Sequence, residues 1–198
     1  MNNEGLLFVI SGPAGAGKGT VVNELIKDDN IRISISATTR APRGKEQNGK
    51  EYFFLTREEF EKDIDEDGFI EYASYLGNYY GSPKKPVQQW QSEGKDVILE
   101  IEVQGCEKVK SKMPDCVSIF IMPPSMEVLE KRLRGRGTET EENVLRRLAR
   151  AKEELPLAKN YDYVVVNGPI EECVADVKAI IKAEKLRSKR FDFDGYMN

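Results

Sequence analysis

The sequence predicts an α/β domain with a mainly parallel central sheet, an inserted lobe and a helical lid. Apolar runs of strand length recur at residues 6–10, 97–103, 117–122 and 161–166, spaced far enough apart for the helical crossovers that parallel strands need. A glycine-rich turn follows the first run directly and opens into an amphipathic segment. A chain of 198 residues buries a real core and suits one α/β domain with insertions better than two independent domains.

The glycine-rich turn is the organising element. After the strand at 6–10 come Gly12, Pro13, Ala14, Gly15, Ala16, Gly17, Lys18, Gly19 and Thr20, and residues 18–26 have helical spacing. Successive N–H groups in such a loop, with the positive end of the following helix, make a concave site for a polyphosphate. The spacing Gly12, four residues, Gly17, Lys18 is that of a phosphate-binding loop, with Lys18 as the point charge on the outer phosphates. The next position, usually a magnesium-holding Ser or Thr, is Gly19, so Thr20 is the candidate for that contact, directly or through water.

Residues 31–37 read as a second strand running into a polar, basic excursion at 38–50 with Pro42, Gly44 and Gly49. Short strands are expected at 52–55 and 69–72, with a charged helix at 57–67 between them. Pro86 suits the opening of a helix at about 85–92, which Gly94 ends. Residues 36–90 therefore form a small inserted lobe. In the strand at 97–103, Glu100 and Glu102 fall at period two and share one face, near the strand end where open parallel sheets gather ligands. The strand at 117–122 precedes a helix at 125–134. A second helix starts behind a capping box of Thr138 and Glu141. The strand at 161–166 leads to a helix from 169 to about 187 that covers one sheet face. Residues 191–198 show no periodicity.

Composition limits the function. A formal charge of −4 and a pI near 5.2 exclude a general nucleic-acid binder. Cys106, Cys116 and Cys173 lie far apart, and the chain has no histidine to complete a zinc site; they read as structural thiols of a reducing compartment. No apolar run is long enough to cross a bilayer and no basic segment precedes the first in signal-peptide fashion, so no membrane partner and a cytoplasmic location are expected.

Phosphoryl transfer asks for positioning and positive charge. Between positions 132 and 150 stand Arg132, Arg134, Arg136, Arg146, Arg147 and Arg150, so residues 135–155 read as a mobile, cation-lined lid. Without histidine, a phosphate monoester is the natural acceptor: with a second pKa of about 6 it is already a nucleophilic oxyanion. Arg40 and Arg43 supply guanidiniums suited to bidentate phosphate binding.

With these motifs in place the chain resembles the guanylate kinases from about Gly5 to Glu184. The loop ending Gly-Lys-Gly-Thr is similar to those of nucleoside monophosphate kinases. The segment 36–52, Phe-Ile-Glu-Tyr at 69–72, Asn-Tyr-Tyr-Gly-Ser at 78–82, Glu-Ile-Glu-Val-Gln-Gly at 100–105, Arg-Gly-Arg-Gly-Thr-Glu-Thr-Glu-Glu at 134–142 and Val-Val-Asn at 165–167 recur in that order. The resemblance implies a three-layer P-loop fold with a core of residues 1–35, 91–134 and 156–190, a GMP-binding lobe at 36–90, a lid at 135–155 and a tail at 191–198. It implies magnesium-dependent transfer of the ATP γ-phosphate to GMP by a monomer or small homo-oligomer. By matching motif, Ser36, Arg40, Arg43, Tyr52 and Tyr80 would hold the GMP phosphate, and Glu71, Ser82 and Glu102 would read guanine. Lys18, Arg43, Arg136 and Arg147 would be catalytic. Residues 12–20, Arg136 and Asn167 would contact ATP, and Thr20 and Glu100 would serve Mg2+. Lys45, where the family usually has Gly, and Gly168-Pro169, where acidic residues are common, depart from its pattern. Two other classes stay open: a guanylate kinase-like binding module without turnover, and a related kinase with another phosphorylated acceptor.

Overall fold

A computed structural model describes residues 4–75, 77–135, 140–191 and 193–197. Strand β1 (Leu7–Ser11) is buried throughout. Five parallel strands form the main sheet: β2 (Ile31–Ile33), β7 (Asp96–Glu100), β1, β8 (Val117–Met122) and β9 (Tyr163–Val166), in that spatial order. Leu7 pairs with Val97, and Phe8 with Val117. Both faces of β1 are covered, which is why its sequence is continuously apolar instead of alternating. Phe8 and Ile10 point into a cluster with Val21 and Leu25 of helix α1 (Lys18–Leu25) and Cys173 and Val177 of helix α7 (Ile170–Lys185). Leu7 and Val9 face the other way, toward Val87 of α3 (Lys84–Ser92) and Cys106 and Val109 of α4 (Val103–Lys112). The result is three layers, helix on sheet on helix.

A second, mixed sheet takes the order β4 (Phe53–Phe54), β3 (Ala37–Thr38), β6 (Asn78–Pro83), β5 (Phe69–Tyr75). Helix α2 (Arg57–Asp65) starts at a capping box in which Thr56 and Glu59 satisfy each other's backbone N–H groups. It packs through Phe60, whose ring stacks on Phe69 and Tyr79 at centroid distances of 4.2 and 5.2 Å.

Several expectations change. Residues 31–37 are not one strand: Ser34 still bonds Ile98 of the main sheet at 2.9 Å, whereas Ala37 pairs with Phe53 and Gly81 of the second. The strand at 97–103 ends at Glu100, and Glu102 is the N-cap of α4, so the two glutamates do not share a strand face. Both α4 and β6 went unforeseen. The helix follows the strand with no glycine or proline to mark the change, and Asn-Tyr-Tyr-Gly-Ser-Pro has turn composition that only pairing with β5 and β3 makes extended. The helix expected behind Thr138 is α6 (Glu141–Glu154), capped by Thr140, whose hydroxyl accepts from Asn143 N; Thr138 lies outside the described residues. Helix α5 (Met126–Arg134) has Ser125 as its cap, and the tail carries a short helix, α8 (Phe193–Met197).

One buried carboxylate ties the sheet's lower edge together. Asp96 is 1% exposed; its Oδ1 accepts the Leu6 N–H at 3.0 Å and its Oδ2 pairs with Lys185 Nζ at 2.7 Å. Asp96→Ala should lower stability by about 2 kcal/mol, because a buried N–H loses its acceptor. Asp96→Asn should cost less, since its amide oxygen still accepts from Leu6. Urea unfolding measures both, and an Ala variant as stable as wild type would contradict this account.

Candidate active site

The loop from Gly12 to Gly17 owes its shape to what stands behind it. Gly12, Gly15 and Gly17 have φ of 148°, 89° and 92°, the region where a side chain is strained. A Cβ on Gly12 would lie 2.3 Å from the Ile121 carbonyl oxygen of β8, and one on Gly17 2.3 Å from Asn167 Nδ2. Asn167 is 4% exposed, and its amide donates to the Ala16 carbonyl at 2.7 Å. Arg132 of α5 donates to Ala16 O at 3.3 Å and Asn167 O at 2.9 Å. Asn167, expected near a donor adenine, is thus seated against the back of the loop. Helix α1 then begins with Gly17 as N-cap and no capping side chain, which leaves its first N–H groups for an anion.

Lys18 Nζ donates to Gly12 O at 2.6 Å and Pro13 O at 3.3 Å. Burial lowers its pKa from the ordinary lysine value, and Glu102, Glu100 and Glu154 push back upward. Glu100 is half-buried at the end of β7. Both its carboxylate oxygens lie 3.9 Å from where a Cβ on Gly19 would stand. Burial raises its pKa, and Lys18 opposes that. Thr20 is exposed in the first turn of α1.

The second sheet gathers a cationic corner and a polar pocket. Arg40 lies 5.4 Å from the centre of the Tyr52 ring, and Tyr52 meets Tyr80 edge to face at 6.1 Å. Glu46 holds Arg40 through two hydrogen bonds of 2.9 and 3.0 Å and also accepts the Arg43 N–H at 2.7 Å. Sequence reasoning missed Glu46; its signal is a carboxylate inside a basic, glycine-bearing loop. Ser36 passes its carbonyl to Phe53 N, and Arg43 is exposed. Across the β5–β6 ladder, Glu71 pairs with Ser82, and the Ser82 hydroxyl donates to Glu71 Oε1 at 2.9 Å. The two are 9% and 1% exposed. Burial raises the Glu71 pKa, countered by Ser82 and by Lys108. The start of α4 closes this pocket, since a Cβ on Gly105 would be 3.4 Å from Glu71 Oε2.

Glu102, also at that helix start, is held from α6. Arg150 Nη2 donates to Glu102 Oε2 at 2.8 Å and Gln104 Oε1 at 3.0 Å, while its Nε donates to the buried Glu154 at 2.7 Å. From sequence Arg150 was only one of several lid cations and Gln104 and Glu154 had no role; the meeting of α6 with α4 reveals their contacts. Val144 and Ala151 of α6 pack on Leu129 and Leu133 of α5, and those leucines press on Gly15. Arg147 is half-buried on α6. Arg136 lies outside the described residues.

A parallel sheet with a glycine loop after β1, an open helix start behind it and a second sheet carrying arginines and a carboxylate pocket defines a phosphate-loop nucleotide-binding protein. The profile of the guanylate kinase family matches residues 4–184. The chain is 51% identical over 190 residues to the guanylate kinase of Clostridium acetobutylicum, covering 96% of this chain and 91% of that one. It is 53% identical over 188 residues to that of Halalkalibacterium halodurans, with 94% and 92% covered. The crystal structure of guanylate kinase from Anaplasma phagocytophilum superposes with a TM-score of 0.75 at 39% identity, covering 94% of this chain and 89% of that one. The chain belongs to the guanylate kinase family.

Gly17→Ala should disable the loop without unfolding the protein, because the new methyl meets Asn167 and forces Ala16 and Gly17 apart from their support. Donor turnover should fall at least a hundredfold, about 2.7 kcal/mol of barrier, while the thermal midpoint moves little. Near-normal turnover would show that the loop does not need this shape.

Proposed function

We infer that this chain transfers the γ-phosphate of ATP to GMP, giving ADP and GDP. The observation that carries the reading is the buried Glu71–Ser82 pair standing in the same molecule as a fully built phosphate loop. Ionised Glu71 is an acceptor-only group and suits the adjacent N1–H and 2-amino donors of guanine, whereas adenine presents a lone pair at N1. Ser82 can donate to guanine O6, and Glu102 adds a second carboxylate. Family membership across residues 4–184 supports the same assignment, and nothing favours a binding module without turnover.

The donor phosphates would lie along residues 12–20 on the N–H groups of the loop and of α1, with Lys18 turning from the Gly12 carbonyl to the outer phosphates. The acceptor phosphate would take Arg40 and Arg43, with Ser36, Tyr52 and Tyr80 beside it. Arg136 and Arg147 would bring positive charge from the lid as the nucleotides come together, and Asn167 would serve the donor by fixing the loop. The acceptor needs no general base, being an oxyanion already, so these cations act by neutralisation and alignment. We assign residues 36–90 as the acceptor lobe, 135–155 as the lid, 191–198 as the tail and the rest as the core.

Mg2+ fits the oxygen donors at hand, Thr20 directly or through water and the half-buried Glu100 through water. Such an ion keeps most of its shell as water and phosphate oxygen. When bound it supplies charge neutralisation to the phosphates. Among the described residues no helix is long and apolar enough to cross a membrane. We place the enzyme in the cytoplasm, as a monomer or small homo-oligomer with ATP and GMP, and no nucleic acid, as its partners.

The test of the reaction is ADP release with each nucleoside monophosphate in turn, and equal use of AMP and GMP would overturn it. Lys18→Met keeps much of the stem and removes the charge, so the rate should fall at least about tenfold, or 1.4 kcal/mol. A smaller loss would remove Lys18 from the donor site.

Glu71→Gln should weaken GMP use by about tenfold or more, and it should narrow the GMP-to-AMP ratio because a carboxamide both donates and accepts. The sign of the pH effect follows from burial. Glu71 has a raised pKa, so its ionised, guanine-accepting form is present at high pH and lost as pH falls through that raised value, above the ordinary glutamate pKa of about 4.3. The KM for GMP should therefore climb on acidification in wild type, and this limb should be absent in Glu71→Gln. Matching profiles would move base reading to Glu102.

A further inference from the structure

A cleft of about 420 Å³ opens at the end of the main sheet opposite the phosphate loop. Its walls include the first residues of β8 and β9, Val117 and Tyr163, and the end of α7 at Glu184. Strand β8 has six residues, so at about 3.3 Å per residue the cleft is roughly 20 Å from the nucleotide end. Nothing in the phosphoryl-transfer site uses it.

The lining is polar, and one group in it is unmet. Arg190 Nε and Nη2 are both shielded from solvent and find no hydrogen-bond acceptor among the described residues. The Glu184 carboxylate stands 3.8 Å from Nη2, beyond hydrogen-bond reach. Glu184 is already engaged, accepting from the Tyr163 hydroxyl at 2.6 Å and from Arg187 at 3.3 Å. The other two acids are engaged as well: Lys189 pairs with Asp115 at 2.8 Å, and Lys110 with Asp162 at 2.9 Å. The four cations therefore exceed the three carboxylates by one positive charge.

Nε and Nη2 form one edge of the guanidinium, the pair of parallel donors that grips an oxyanion through two bonds at once. Buried donors without an acceptor are costly and rare. We propose that this cleft is a second ligand site, where the Nε/Nη2 edge of Arg190 binds an oxyanion of the carboxylate or phosphate class. The single excess charge matches one such group, and the cleft has the volume of a small-molecule site.

The test follows side-chain and backbone NMR signals of the full chain while inorganic phosphate, or acetate, is added against a chloride control of equal ionic strength. The Arg190 Nε–Hε signal is assigned by its loss in Arg190→Lys. In wild type this signal should shift saturably, and the amides of Val117 and Tyr163 should follow the same curve. In Arg190→Lys, which keeps the charge but not the fork, those two amides should lose the response or need at least about tenfold more anion. Response to phosphate alone identifies a phosphate group as the occupant's anchor, and response to acetate alone a carboxylate. No shift beyond the chloride control with either anion overturns the proposal and leaves the edge to water. An unchanged Val117 and Tyr163 response in Arg190→Lys also overturns it. Thermal melting and ADP-release activity of Arg190→Lys at wild-type levels establish that the variant is folded.

Discussion

The phosphate loop is held in shape by three separate parts of the chain, and the rest of the site depends on that hold. Gly12 backs onto the Ile121 carbonyl of β8, Gly15 onto Leu129 and Leu133 of α5, and Gly17 onto Asn167 after β9. Each contact is too close for a Cβ, and each glycine has a positive φ. A loop whose N–H groups converge on a phosphate has few of them left for internal bonds, here Ala16 N to Pro13 O at 3.1 Å, so much of its conformation is imposed from outside. Arg132 and Asn167 do this by donating to the Ala16 carbonyl, and they also tie the loop to the base of the lid.

The second constraint is charge. Cations around the loop and the second sheet rest on partners from the chain itself: Lys18 on loop carbonyls, Arg40 on Glu46. Arg150 rests on Glu102 and Glu154. Such pairing keeps guanidiniums oriented, which lowers the ordering cost when a phosphate takes over. It also sets a threshold, since an incoming anion has to offer at least as much as the carboxylate it displaces. Glu102 is where two elements meet, because it is the N-cap of α4 beside the Glu71–Ser82 pocket and is gripped by Arg150 of α6.

Much of the donor site was legible because its information is local. Strand, loop and helix run in unbroken order, the apolar run at 6–10 has strand length and leads straight into the glycine turn, and Lys18 closes a fixed spacing. The strand at 117–122 was read without error for the same reason. The acceptor side was less legible. The turn-like composition at 78–83 concealed β6, and without β6 the meeting of Glu71 with Ser82 has no geometric basis. The period-two reading of Glu100 and Glu102 failed because β7 stops at Glu100, where the chain turns into α4 with no sequence punctuation.

The sequence by itself determined the fold class, the phosphate loop, the buried strands and, through resemblance, the family. These follow from patterns within a few neighbouring residues, where backbone geometry and side-chain periodicity suffice. Tertiary structure alone decided that Asn167 supports the loop from behind, that Glu46 and Arg150 restrain Arg40 and Glu102, and that Arg190 presents an unmet edge to a cleft beneath the sheet. Each of these joins residues from separate elements, and such contacts exist only once packing has fixed which groups lose water and which partners remain within reach.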